Sequence, residues 1–142
     1  MPVILINFMA VIAATISSMI IGYLWYGPLF GKVWTKLSSA KEKKNDEKRK
    51  MYALQFIGSL FMAFVLAKMV VSVISMIELQ YVVPQQLLVG LTVAFWAWAG
   101  FVAPVTLGTV LWDKKPWMLW VLNNAYYLVT FCVMGIILAY WR

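Results

Sequence analysis

The chain has no histidine, one cysteine and five acidic residues among its 142. Without histidine it lacks the usual general base near neutral pH and the usual axial ligand for haem. The single thiol, Cys132, forms no internal disulfide, iron–sulfur site or structural zinc site by itself. Inside an apolar run, its plain role is that of a small packing residue. The acids are Glu42, Asp46, Glu47, Glu78 and Asp113, all outside the long apolar runs or at their edges. A proton-coupled pump normally keeps a carboxylate or histidine inside the membrane. An enzyme needs positioned acids, bases or nucleophiles. The composition therefore argues against an enzyme and implies no cofactor and no metal.

What the chain does have is apolar length. Apolar residues make up 64% of it, gathered into runs over about 3–26, 52–77, 85–112 and 116–141. Each run exceeds the ~20 residues a helix needs to cross a bilayer. The expected fold is an all-α membrane protein: four transmembrane helices in a single domain over 1–142, with a short interfacial helix after the first. Its core forms by helix packing in lipid rather than by collapse from water.

Charge sets an expected orientation. The loop 27–51 carries eight basic residues against three acids, a net +5. The turn between spans three and four adds Lys114 and Lys115, whereas the turn after span two carries only Glu78. The positive-inside rule places loops one and three in the cytoplasm and both termini outside. The first run lacks a basic leader and a small-residue cleavage site, so it reads as an anchor, not a removed signal. Trp25, Tyr26, Trp34, Trp112, Trp117 and Trp120 suit the inner interface, and Tyr140 and Trp141 the outer. Basic side chains near an anionic leaflet contribute on the order of 1 kcal/mol each. Anionic lipid headgroups are thus the expected partners of this loop, and nothing resembles a nucleic-acid module.

Gly27-Pro28 interrupts the first run. Leu29, Phe30, Val33, Trp34 and Leu37 then recur at helical spacing, with Lys32, Thr35 and Lys36 opposite. This elbow (Trp25, Tyr26, Pro28, Phe30, Trp34) suits an anchor in the headgroup region, or a surface for lipid sensing or docking. After the elbow, 38–50 reads as a flexible turn followed by an extension of the second helix, starting near Asn45 or Asp46.

Small residues fall four apart in span one (Ala10, Ala14, Ser18, Gly22), span three (Gly100, Pro104, Gly108) and span four (Gly135, Ala139). Such stripes serve internal packing or self-association. Pro104 withholds a donor from the Gly100 carbonyl. By a rise of about 1.5 Å per residue, Pro104, Asn123, Asn124, Ser17, Ser18 and Ser59 occupy one layer in the inner half of the membrane. That layer is either a hydrogen-bonded clasp or a small binding site. Asn123, Tyr126 and Tyr127 sit at i, i+3 and i+4, so the asparagine shares a face with at least one phenol. Lys68 lies deep in span two with no acid at its depth. Three roles fit it: snorkelling to the outer headgroups, stacking on a tryptophan, or holding an anion or a subunit's carboxylate. Thr92, Trp96, Trp98, Thr15 and Thr130 are its expected neighbours in depth.

Asn7, residues 22–34, Gly100 through Pro104, Trp112 through Trp117 and Asn123 through Gly135 together carry a resemblance. The chain resembles the bacterial membrane family catalogued as domain of unknown function 1761. The resemblance implies a short four-helix protein of the bacterial cytoplasmic (inner) membrane. It implies no activity and brings no catalytic residues. The leading expectation is a non-enzymatic protein that works through helix contacts, as an accessory or scaffold subunit in a larger membrane complex or as a homo-oligomer. The alternative is a small channel or transporter for an anion or neutral solute, using Lys68 and the inner polar layer. Exchange of cations for protons is disfavoured, because no intramembrane glutamate is present. An intramembrane enzyme acting on lipid or quinone would have only Tyr126, Tyr127 and Lys68 as acid–base groups.

Overall fold

A computed structural model of the chain describes residues 5–39, 41, 44–80 and 85–142. The expected start of the first span at residue 3 lies outside these, as do Glu42 and Lys43 of the basic loop. The described residues form helices α1 (Phe8–Leu24), α2 (Gly31–Ser38), α3 (Asn45–Glu78), α4 (Gln86–Ala97), α5 (Ala103–Leu111) and α6 (Trp117–Tyr140). Wide π-helical turns over Trp25–Leu29 and Trp98–Val102 continue α1 and join α4 to α5.

Four helical spans result: Phe8–Leu29, Asn45–Glu78, Gln86–Leu111 and Trp117–Tyr140. At about 1.5 Å per residue, even the shortest exceeds the ~30 Å hydrocarbon thickness of a bilayer. The protein is thus an all-α membrane protein with four transmembrane helices. The Asn7 side chain begins the first by accepting hydrogen bonds from the amides of Met9 (3.0 Å) and Ala10 (3.3 Å). These bonds satisfy donors that a helix start otherwise leaves open. The charged run from Asn45 to Lys50 is already helical, so α3 projects beyond its apolar part.

Both π-turns sit where a proline would break an α-helix. In the first, which contains Pro28, the Phe30 amide reaches the Trp25 carbonyl at 2.9 Å. In the second, the Ala103 amide bonds the Trp98 carbonyl, which leaves Pro104 in the first turn of α5. There the missing N–H costs little. In lipid every freed backbone group needs a partner, and a wide turn redistributes the bonds locally.

The core runs along α6, which packs against each of the other helices. Ala10, Ala14 and Ser18 of α1 are buried inside the bundle, so this stripe serves internal packing. The third span behaves differently from expectation. Gly100 and Pro104 are exposed, and a Cβ on Gly100 would meet nothing within 4 Å. A wide turn adds a residue and shifts the helical phase, so positions on either side no longer share a face. The close approach falls earlier, at Gly90 and Ala94 of α4 against Gly135 and Ala139 of α6. A Cβ on Gly90 would lie 2.5 Å from the Gly135 carbonyl oxygen, and one on Gly135 would lie 2.5 Å from that of Gly90. The two backbones touch with no side chain between them.

Gly135→Ala should therefore destabilise the bundle by about 1–3 kcal/mol, the usual cost of overpacking. Gly58→Ala, where an added Cβ meets nothing within 4 Å, should be neutral or slightly stabilising. Thermal unfolding in detergent, followed by circular dichroism, checks the pair. Equal melting of Gly135→Ala and the parent protein would refute the contact.

Candidate functional site

The elbow is the most elaborate aromatic structure in the protein. Gly31 permits it, since a side chain there would press on the Tyr26 carbonyl oxygen, 2.6 Å from an added Cβ. α2 presents Lys32, Thr35 and Lys36 outward and half-buries Trp34 and Leu37, while Leu29 belongs to the wide turn. The Tyr26 ring meets Trp34 edge-on at 5.6 Å and Tyr126 at 5.0 Å. Its hydroxyl donates to Asn123 Oδ1 at 2.9 Å, tying the elbow to α6. Trp25 lies 4.7 Å from the Phe30 ring and 6.3 Å from that of Tyr126, and Tyr127 lies 5.2 Å from Tyr126. Gly22 leaves room for the Tyr126 hydroxyl, which an added Cβ would approach to 3.1 Å. Pro28 is exposed at the tip.

The two asparagines part company. Asn123 faces the elbow, whereas Asn124 turns into the bundle and is only 3% exposed. Asn124 Nδ2 donates to Thr106 Oγ1 and to the Trp120 carbonyl, both at 3.0 Å. Trp120 Nε1 donates to the same hydroxyl at 3.2 Å. Thr106 Oγ1 in turn donates to the Val102 carbonyl at 2.8 Å, at the end of the second wide turn. So the link that joins Asn124 to the disturbed segment is Thr106, a residue the sequence reasoning did not single out. A signal was available: Thr106 lies one turn beyond Val102 and two residues past Pro104. Trp120 points its indole N–H inward onto this cluster rather than serving only as an interface anchor.

The serines do not join either group. Ser17 and Ser18 donate to the Ala14 and Thr15 carbonyls of their own helix, each at 2.7 Å. Ser59 accepts from Gln55 Nε2 at 3.4 Å. In an apolar helix, a hydroxyl finds its own preceding turn sooner than a neighbouring helix. The indole N–H groups of Trp25 and Trp98 are buried without an acceptor among the described residues.

Lys68 lies elsewhere. Its side chain is exposed on the outer face of α3, with Nζ 5.0 Å from the Phe64 ring centroid. The aromatic partner is thus a phenylalanine, not a tryptophan. Beside Lys68, a groove of about 610 Å³ opens between α3 and α4, walled in part by Ser72, Met76, Thr92 and Trp96. Of the neighbours expected from depth, Thr92 and Trp96 line this groove, while Thr15 and Thr130 are buried inside the bundle and Trp98 packs against the core. Glu78 does not answer the lysine, since it accepts from Arg142 Nη2 at 2.7 Å. Among the described residues, no group of three histidine, cysteine or acidic side chains converges on a point.

Tyr26→Phe and Asn123→Leu should each weaken the bundle. The double variant should lose less than the sum, with a coupling of about 1 kcal/mol, typical of hydrogen bonds between membrane helices. Unfolding in bicelles measures this cycle, and strict additivity would show that the bond contributes nothing.

No curated protein and no solved structure matches the chain significantly. One family model does, over residues 9–139 and so over nearly the whole four-helix bundle. The chain belongs to the family described as Protein of unknown function (DUF1761).

Proposed function

We propose that this protein is a non-enzymatic membrane subunit that acts through helix contacts, as an accessory or scaffold component. One observation carries this reading: the enclosed asparagines are engaged by neighbours within the chain. Asn123 is held by Tyr26, and Asn124 by Thr106 and Trp120. These contacts engage the Asn123 carbonyl and the Asn124 amide within the chain. Two grooves among the described residues lie on the outer surface, one against Ile16, Tyr23 and Phe56 and the other beside Lys68. Surface grooves suit neighbours in the membrane, whereas a carrier needs a path through its interior.

The transporter alternative draws on the unanswered charge of Lys68. It would require Lys68 and the asparagine layer to share a route. The structure sets the lysine on the outer face of α3, whereas the asparagines engage the elbow and α5.

The same reading puts the chain in a bacterial cytoplasmic membrane. Its basic loop would face the cytoplasm against anionic headgroups, and both termini would face outward. The support is charge: eight basic residues lie in the loop 27–51. Reporter fusions at residue 39 and at the C-terminus should be active on opposite sides of the membrane. Activity on the same side would overturn this orientation.

Native mass spectrometry of the tagged protein, extracted gently from its own membrane, should show it in a defined complex. Proteoliposomes holding the pure protein should show no flux of anions or neutral solutes above empty vesicles. A monomer that moves a solute would sink the proposal.

A further inference from the structure

Lys68 places an amine well inside a transmembrane helix, and it faces outward. Helical side chains lean toward the helix N-terminus. Lys68 follows this rule, since its Nζ lies over Phe64, one turn back. The charge therefore points away from the Glu78 end rather than toward it. At about 1.5 Å per residue, the Phe64 level is roughly 21 Å from Glu78 and roughly 18 Å from Tyr52, where the apolar part of α3 begins. From the Lys68 backbone itself, Glu78 is roughly 15 Å away and Tyr52 roughly 24 Å, farther than a four-carbon stem reaches. The position opposes snorkelling and leaves the amine near the middle of the apolar part of α3.

The groove beside it has a shape that bears on its occupant. Lys68, Ser72 and Met76 form a row four residues apart on α3, and Thr92 and Trp96 form another on α4. Two such rows make a trough about two turns long, which matches the ridge of a third helix. A lipid chain would also fit the trough, but its headgroup would sit at the interface, far from Nζ. A second copy of this chain supplies no answering charge, because its five acids lie outside the apolar spans or at their edges and it would bring another Lys68. We infer that the trough between α3 and α4 docks a transmembrane helix of a different protein, one that carries an aspartate or glutamate near mid-membrane and pairs its carboxyl group with Lys68. This rests on the subunit reading above and specifies the partner's chemistry.

The test uses the full chain in phosphatidylcholine vesicles, with a dilute synthetic polyleucine transmembrane helix as the probe. One peptide carries a single central glutamate and the other is all leucine. Energy transfer between labels on the protein and the peptide reports association. The glutamate peptide should bind the parent protein roughly tenfold more tightly than the leucine peptide, the order expected for a polar contact in lipid. Lys68→Leu should erase that preference, Lys68→Arg should keep it, and Lys68→Glu should transfer it to a peptide with a central lysine. Because residue 68 is exposed, these variants should melt with the parent, and a preference that persists in a folded Lys68→Leu overturns the inference. So does equal binding of both peptides to the parent protein. Loss of the preference on adding phosphatidylglycerol or oleate would assign the trough to lipid and also overturn it. The subunit reading fails separately, through a monomer that carries a solute, so the two failures are distinguishable.

Discussion

The contact of Gly90 with Gly135 is the constraint from which the packing follows. In lipid, hydrophobicity offers no drive for helices to associate, so stability comes from van der Waals contact and a few hydrogen bonds. Two facing glycines, flanked by Ala94 and Ala139, bring α4 and α6 close enough for backbone to meet backbone. α1 reaches the same core through Ala10, Ala14 and Ser18, and α3 through Ala63, Ala67 and larger residues such as Leu66 and Ile74. Large side chains face outward: Phe61, Trp96, Phe101 and Val105 are each at least 67% exposed. That would be a liability in water and is the normal arrangement in a bilayer.

A second constraint is that every backbone group in hydrocarbon needs a partner. The chain places prolines in two spans and meets the difficulty the same way each time, with a wide turn that opens on a tryptophan, Trp25 or Trp98. The consequences reach beyond the backbone. The first wide turn orients Trp25 and Tyr26 toward α6 and allows the chain to leave into α2. The second shifts the phase of the third span, moving Gly100 and Pro104 off the face that Gly90 and Ala94 occupy. Thr106 then links that segment to Asn124 and Trp120.

The polar groups thus divide into separate arrangements rather than a single layer. One locks the elbow to α6, and another joins α5 to α6. The serines bond back to their own helix or to a nearby glutamine. Lys68 belongs to none of these and looks outward.

Much of this was legible in the amino-acid order. Four spans follow from the length of the apolar runs, because hydrocarbon thickness sets a minimum helix length whatever the packing. The small-residue stripe of α1 was readable because an uninterrupted α-helix keeps residues four apart on one face. The elbow was readable from glycine, proline and an amphipathic period. The third span was not readable in this way. Its stripe at Gly100, Pro104 and Gly108 assumes a regular helix, and the wide turn at Trp98–Val102 breaks that assumption. The partners of Asn123 and Asn124 were hidden for a related reason: neighbours in sequence differ by about 100° around a helix, so adjacent asparagines face different helices. Depth along the axis can be counted from the sequence, and it placed Lys68 deep within span two. Azimuth around the bundle depends on how the helices pack, and only the tertiary structure put that lysine on the outer face, beside Phe64 and an open trough.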